Sequence, residues 1–361
     1  MNRTRGRGVR IETLEDFDRR IARGAHRLSG WRLYGVDLSS RSQQLATCRV
    51  SGATFLGCTF AEGDSERVEE AGGLVLPAIG HVPVDVYRSR LYAVDDLYDT
   101  ASYADSLDAR AYAWSQHGEG EDDTLARALH DHAIDQALAT WTHGRRLVGV
   151  MGGHALTRDQ PAYADAVRLG AGLGVHHVVA TGGGPGAMEA ANLGARLAGR
   201  DPGALDAALA LLAAVPSYHP SVEAWVGSAR AVLSDFPEGR EGLSIPTWHY
   251  GHEPANLFAT AIAKYFRNST REAILLEVCD AGIVFLPGAG GTVQEIFQDA
   301  CENYYADESS VAPMVLVGRE HWTETVPAWP LLQALARGRA MEQHVHLVDT
   351  VEEAVALVDA G

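Results

Sequence analysis

The chain has 361 residues, a length sufficient for one large and one smaller domain. Of these residues 46% are hydrophobic and 21% charged, which is typical of a globular protein. Its formal net charge of −17 argues against binding a nucleic acid polymer or an anionic membrane. Small anions are not excluded, because a helix N-terminus can bind phosphate locally. The four cysteines form no CxxC pair and no run of about 20 apolar residues occurs. We therefore expect a cytoplasmic protein without a disulfide framework, a zinc site or a membrane span.

Residues 1–120 are predicted to form an accessory domain in which no chemistry is visible. A short amphipathic helix is expected from Leu14, and Thr13 could cap it. Between residues 31 and 60, apolar and small side chains recur at a period of five, which resembles a fragment of a pentapeptide-repeat solenoid. Irregular short strands with a chance spacing are the alternative. The two rows are Leu45, Val50, Phe55 and Phe60, and Cys48, Ala53 and Cys58.

Residues 121–361 are predicted to form a second domain, with a polar joint at 118–123 at its start and alternating strand and helix patterns from Arg146 onward. Repeated β-α units of this kind predict a doubly wound parallel sheet that binds ligands at the carboxyl ends of its strands. Strands are expected at 147–151, 175–181, 243–245, 281–286, 314–317 and 346–348. Helices are expected at 162–173, 188–197, 205–215, 255–266 and 351–358.

Three glycine turns follow predicted strands, at 152–154, 182–186 and 287–291. Three such turns in one sheet are expected to converge on one crevice, which helix packing alone does not explain. The chain has neither a GxGxxG turn opening its first β-α unit nor a GxxxxGK[ST] loop. The sequence therefore predicts a pocket for a mononucleotide or a sugar phosphate.

The turn at 287–291 leads from a buried strand into a helix, so that free backbone N–H groups would point out of the helix N-terminus. Its glycines allow close approach to an anion, and Thr292 could donate a hydroxyl or cap the helix. Glu295 lies one turn further on. A carboxylate beside a phosphate would be repelled, so we expect it to face a neighbouring group that is neutral or becoming positive.

The segment 249–253 reads HYGHE and is a second candidate for chemistry. Two histidines and a glutamate suggest a metal, but the spacing is not HExxH, and the glycine and nearby prolines predict a loop. We favour a loop that lines the nucleotide pocket. In it, either histidine could contact the substrate, and Trp248 or Tyr250 could stack on a base or close the core.

Two of the glycine turns resemble the motifs of one family. Residues 182–189 read GGGPGAME, similar to the GGGxxGLM element of the LOG (Lonely Guy) family, and 287–295 read PGAGGTVQE, similar to its PGGxGTxxE element. The resemblance covers residues 145–360. Residues 152–156, GGHAL, look closer to the larger bacterial nucleotide 5′-monophosphate nucleosidases, which carry an extra N-terminal region. Proteins of this family were formerly mislabelled lysine decarboxylases.

The resemblance implies a Rossmann-like fold and hydrolysis of the N-glycosidic bond of nucleoside 5′-monophosphates to free base and ribose 5-phosphate. It also implies a homo-oligomer, a dimer or larger, that needs no metal or organic cofactor. Catalysis would fall to Glu295 and to Arg271, nine residues before Asp280. The implied phosphate-binding residues are Gly288, Gly290, Gly291 and Thr292. The implied nucleotide-binding residues are Gly152, Gly153, His154, Gly182, Gly183, Gly184, Gly186 and Met188.

This chain departs from the family pattern at three places. Ala289 replaces a motif glycine, Glu277 stands where a basic residue is frequent, and one residue is inserted between Asp280 and Pro287. Ala289 adds a methyl group where the loop would meet phosphate, and Glu277 could weaken binding of an anionic substrate.

The residues also have structural interpretations. Glu295 could be an acid that complements its helix dipole, Arg271 an exposed cation paired with Glu272 or Glu277, and Met188 a core side chain. The alternative function is a non-catalytic nucleotide sensor, and a third is an enzyme acting on another phosphosugar.

Overall fold

The computed structural model describes residues 8–80, 82–117, 120–250 and 253–360. Its contacts divide the chain into two compact units. The first unit consists of Met1–Ser89 and Glu121–Ala133, and the second consists of Arg90–Gly120 and Ile134–Gly361. This division differs from the predicted ranges 1–120 and 121–361, because residues 90–120 pack with the larger unit and 121–133 with the smaller one. Whether the predicted ranges are independent domains stays a prediction.

The first unit is built on a four-stranded parallel sheet in the order β1-β2-β3-β4. Short helices connect successive strands, and Thr13 caps the first of them through its hydroxyl, as predicted. Leu33 and Phe55, on the inner face of the sheet, are fully buried in the core. The elements are β1 (Val9–Ile11), α1 (Leu14–Ala22), β2 (Trp31–Tyr34), α2 (Ser42–Thr47), β3 (Thr54–Leu56), α3 (Asp64–Glu70) and β4 (Leu74–Leu76).

The predicted pentapeptide-like solenoid is wrong, and so is the alternative of irregular strands. Helix α2 contains Leu45 and interrupts the period-five rows, which an all-β pentapeptide coil cannot accommodate. The repeat is instead one strand-helix unit, and Leu33 pairs with Phe55, 22 positions later. Gly35 and Gly57 carry the same spacing and both have positive φ, at 60° and 63°. This 22-residue glycine spacing was the sequence signal for the repeat.

The second unit contains a seven-stranded parallel sheet surrounded by helices. None of the helices in the described residues combines the length and apolar character that a bilayer crossing requires. The elements are α4 (Val94–Leu97), α5 (Leu107–His117), α6 (Glu121–Thr142, whose first part packs with the first unit), β5 (Leu147–Met151), α7 (Pro161–Leu173), β6 (Val178–Thr181), α8 (Ala187–Arg196), α9 (Pro202–Ala213), α10 (Val222–Asp235), β7 (Gly242–Ser244), β8 (Ala261–Ile262), α11 (Asn268–Glu277), β9 (Ile283–Phe285), α12 (Gly290–Tyr305), β10 (Met314–Val317), α13 (Trp329–Ala336), β11 (Val345–Val348) and α14 (Val351–Ala360).

The strand order of this sheet is β11-β10-β9-β5-β6-β7-β8. Every residue of β5, β9 and β10 is buried, because helices cover both faces of the sheet. The predicted α/β class with a doubly wound parallel sheet is confirmed. The chain reverses its winding direction between β5 and β9, and ligands bind at such a switch point in open α/β sheets.

The helix predicted at 255–266 is wrong. This segment is extended, and it contains β8 at the edge of the sheet. Nearly all of its residues are buried, so its apolar spacing carries no information on which face is exposed. Asn256 fixes the segment by donating its backbone N–H to the Gly183 carbonyl at 2.8 Å and its side-chain amide to Asn192 Oδ1 at 3.0 Å.

Candidate functional site

The three glycine turns meet at the carboxyl ends of β5, β6 and β9. The Gly153 N–H donates to the Pro287 carbonyl at 3.2 Å, and the Ala187 N–H donates to the Gly153 carbonyl at 3.2 Å. Gly186 has a φ of +73°, and a Cβ there would stand 2.5 Å from the Gly153 oxygen. Only glycine fits this contact, because it has no side chain and adopts positive φ without strain. The predicted convergence of the turns is what the structure shows.

Helix α12 begins at Gly290, directly after the third turn. A Cβ on Gly290 or Gly291 would meet no protein atom within 4 Å, so the protein's own packing does not require glycine at either position. Both lie at an exposed helix N-terminus, where backbone N–H groups have no partner within the helix. The turn thus leaves open space in front of a group of donors suited to an anion.

Thr292 does not cap this helix. Ala289 occupies the N-cap position and makes no side-chain capping bond. The Thr292 side chain is buried against Gly288, and any Cβ at Gly288 would collide with its hydroxyl. The structure therefore excludes Thr292 as the helix cap, and its role as a phosphate-binding hydroxyl stays a prediction.

Arg271 lies on α11, and its side chain reaches the second glycine turn at Gly182. Its Nε donates to the Ile245 carbonyl at 2.7 Å and its Nη2 to the Gly182 carbonyl at 3.1 Å. Its side chain is only 11% exposed, and Nη1 lies 3.9 Å from Glu295 Oε1. The interpretation of Arg271 as an exposed cation is therefore wrong, and its long-range partner is Glu295 rather than Glu272 or Glu277.

Glu295 faces Arg271 from the first turns of α12, with its side chain 14% exposed. Burial raises the pKa of this carboxyl from 4.5 to about 7, against the lowering effect of the Arg271 charge and with a further rise from Glu272. Its protonation therefore changes near neutral pH, where a carboxylate can take up a proton or stabilise positive charge.

Glu272 is fixed beside this pair by two amides. Asn268 Nδ2 donates to its Oε1 at 2.7 Å, and Gln294 Nε2 donates to its Oε2 at 2.8 Å. The first bond lies within α11, and the second connects α11 to α12 next to both site residues, Arg271 and Glu295. Sequence reasoning considered Glu272 only as an ion-pair partner of Arg271 and missed this contact between helices.

Glu277, considered as an obstacle to anionic substrates, is exposed at the end of α11. Partial burial, together with the charge of Glu277, raises the pKa of Glu302, which lies two helical turns beyond Glu295 on α12. That Glu277 weakens the binding of an anionic substrate stays a prediction.

The remaining residues of the predicted nucleotide site lie along the second turn. Gly182, Gly183, Gly184 and Gly186 are buried, and Met188 is half-buried. The Met188 side chain contacts the space in front of both Gly182 and Gly184, so it is not a core side chain alone. His154 is exposed on the first turn, and its Nε2 lies 3.8 Å from Glu253 Oε1.

The glutamate of the GGGPGAME segment has a structural partner that the sequence did not reveal. Glu189 is fully buried, and its carboxylate accepts from Arg158 Nε at 3.0 Å and from the Tyr163 hydroxyl at 3.0 Å. Arg158 is itself buried and packs over the Trp225 ring, 4.6 Å from its centre. This network joins the start of α8 to the loop after β5. Nothing in the spacing of Arg158 and Glu189 indicated it.

Of the HYGHE segment, Gly251 and His252 lie outside the described residues. Elsewhere in the part of the chain that the structure describes, no group of three His, Cys, Asp or Glu side chains is arranged to hold a metal ion. Trp248 is fully buried and stacks on Phe266 with ring centres 4.4 Å apart, so of its two roles it closes the core.

Comparison with known proteins gives only distant structural likeness. No family model matches the chain, and no curated protein sequence matches it. The molybdenum cofactor binding protein from the phototrophic bacterium Rippkaea orientalis is 17% identical, with a TM-score of 0.37 over 60% of this chain and 98% of that one. The molybdenum cofactor carrier protein from Chlamydomonas reinhardtii is 18% identical, with a TM-score of 0.36 over 60% and 97%. The protein TM1055 is 18% identical, with a TM-score of 0.36 over 60% of this chain and 99% of that one. The α/β class of this chain rests on its own strand order.

Proposed function

We propose that this protein hydrolyses the N-glycosidic bond of nucleoside 5′-monophosphates, releasing the free base and ribose 5-phosphate. The observation that carries the proposal is the placement of Arg271 and Glu295, 3.9 Å apart, where the glycine turns meet the N-terminus of α12. The resemblance of both turns to LOG motifs supports the same reaction.

In this proposal the N-terminus of α12 binds the phosphate through the amides after Ala289, in the space that Gly290 and Gly291 leave open. The phosphate does not react, so its binding energy positions the glycosidic bond. Arg271 is oriented by the Gly182 and Ile245 carbonyls and contacts the phosphate or the ribose hydroxyls through its planar guanidinium.

Glu295 then acts on the sugar. As the bond between C1′ and the base nitrogen breaks, its electron pair leaves with the base and positive charge develops on the ribose ring. The ionised Glu295 stabilises that charge or takes a proton from the attacking water, whose oxygen bonds to C1′. The proton finally resides on the departing base, which completes the hydrolysis.

The direct test is incubation of the purified protein with AMP, GMP, CMP, UMP and IMP, followed by chromatography for free base and ribose 5-phosphate. We expect at least one monophosphate to be cleaved and the corresponding nucleoside, which lacks the phosphate, to be cleaved far more slowly. Monophosphates that bind but are never cleaved would contradict the enzyme and support the alternative, a nucleotide sensor. Ala289, which replaces a motif glycine at the helix N-cap, is the feature that favours this alternative.

The pH dependence provides a second prediction. The pKa of Glu295 is raised to about 7 and the ionised form is the active one, so kcat/KM should rise with pH and level off above about 7. Because Glu272 contributes to raising the Glu295 pKa, Glu272→Gln should move the midpoint to lower pH. The substrate phosphate also titrates near pH 6, so the readout is the difference between variant and wild type. A midpoint that is unchanged or moves upward in Glu272→Gln would contradict this assignment.

A further inference from the structure

The proposed reaction leaves one charged group at the crevice without a role. Glu253 ends the HYGHE segment, and its carboxylate reaches the second glycine turn. A Cβ built on Gly184 would stand 3.6 Å from Glu253 Oε2, while the other carboxylate oxygen lies 3.8 Å from His154 Nε2. Its side chain is 18% exposed. The carboxylate therefore lies beside two of the three glycine turns.

Contacts along this turn place Arg271 and Glu253 on either side of the Met188 thioether. The space in front of Gly182 is occupied by Arg271 Nη2 and by Met188 Sδ, and the space in front of Gly184 by Met188 Cε and by Glu253. Met188 therefore lies between the guanidinium and the second carboxylate. Its thioether is a flexible apolar surface that can pack against a flat ring.

A nucleotide in the proposed site would follow the same line. With its phosphate at Gly290 and its glycosidic bond beside Arg271 and Glu295, the base would extend along Met188. The edge of the base farthest from the sugar would then face Glu253. An ionised carboxylate only accepts hydrogen bonds, and its two oxygens match two adjacent N–H donors.

We propose that Glu253 is a specificity-determining residue that recognises the N1–H and the 2-amino group of guanine, which makes GMP the preferred substrate class. This inference rests on the proposed function. Guanine is the common base that presents two parallel donors on that edge. Hypoxanthine lacks the amino group, uracil places carbonyl oxygens on both sides of its single N–H, and adenine and cytosine place an acceptor nitrogen beside their amine.

The test compares GMP with IMP, which differ only in the 2-amino group. Wild-type kcat/KM should favour GMP by about tenfold or more, because a hydrogen bond to a charged partner is lost with IMP. In Glu253→Gln this preference should fall toward one. Inhibition by ribose 5-phosphate, which has no base, should be the same in both proteins. Glu352→Gln, an exposed acid on α14, should retain the wild-type preference.

Binding separates this inference from the proposed function. Calorimetric Kd values of GMP and IMP for Glu295→Gln measure the base preference in binding, because this variant should cleave neither nucleotide at a significant rate. GMP preference in binding without any cleavage by wild type would support the role of Glu253 and refute the glycosidase. Equal kcat/KM values for GMP and IMP in wild type, or an unchanged preference for GMP in Glu253→Gln, would overturn the inference. Absence of binding to both GMP and IMP would overturn the inference, while cleavage of AMP, CMP or UMP would still support the proposed function. If Glu253→Gln fails to fold, the same ratio of kcat/KM for GMP and IMP is measured in Glu253→Asp and in wild type. The shorter carboxylate should lower the preference for GMP.

Discussion

Replacing Glu295 with glutamine should lower kcat on a cleaved monophosphate by about 10²–10⁴-fold, the usual contribution of one acid-base group. Glutamine has the same shape but cannot become negative, so the developing charge on the ribose would lose its partner. The proposed phosphate contacts, the amides at the N-terminus of α12 and the Arg271 guanidinium, do not involve Glu295, so the Kd for the nucleotide should change little. Single-turnover kinetics with GMP and AMP, combined with calorimetric Kd values, measure both quantities.

This substitution should not destabilise the fold, which separates a catalytic from a structural role. The folded-state pKa of Glu295 is raised above its unfolded value, so the stability it contributes is present below pH 4.5 and is lost as pH rises through about 7. At pH 8 the variant should therefore have a Tm at least equal to that of wild type. Glu302→Gln, two turns along the same helix and exposed, should retain wild-type kcat. Wild-type kcat in Glu295→Gln would remove Glu295 from the mechanism.

Replacing Arg271 should reduce kcat/KM by about 10²-fold or more, because the substrate would lose the charged contact that positions its phosphate or its ribose hydroxyls beside Glu295. Arg271→Lys retains the charge but cannot reproduce the planar fork that bonds the Ile245 and Gly182 carbonyls, so we expect most of the activity to be lost. Arg271→Gln also removes the charge that lowers the pKa of Glu295. Its pH profile should therefore shift to higher pH, opposite to that of Glu272→Gln.

The control for this series is Arg168→Gln. Arg168 pairs with Asp165 on the exposed surface of α7, where an ion pair contributes little. Its kcat/KM and pH midpoint should equal those of wild type. Full activity of Arg271→Lys would show that the planar guanidinium is not required for catalysis. If Arg271→Gln had an unshifted midpoint, the guanidinium would not act on Glu295.

Much of the architecture was readable from the sequence, because parallel strands buried on both faces appear as short apolar runs ending in glycine. The strand predicted at 147–151 coincides with β5, and the one at 314–317 with β10. Turn chemistry is equally local. Gly186 must adopt positive φ against the Gly153 carbonyl, so a glycine there predicts a tight corner whatever surrounds it.

Long-range partners were not readable, since spacing along the chain does not report contacts between distant elements. Arg158 pairs with Glu189 and Glu272 with Gln294, and neither pair has a local signal. The same limit explains the wrong helix at 255–266, where burial on all sides removes the amphipathic pattern, and the missed strand-helix repeat of the first unit.

The sequence by itself determined the parallel α/β sheet of the second unit, its glycine turns and the residues Arg271 and Glu295 as candidates. Only the tertiary structure decided that this pair meets at the switch between β5 and β9, and that burial brings the pKa of Glu295 to about 7. The reason is physical: turn geometry depends on each residue's own backbone. The proton affinity of a carboxylate depends on the dielectric and the charges that folding assembles around it.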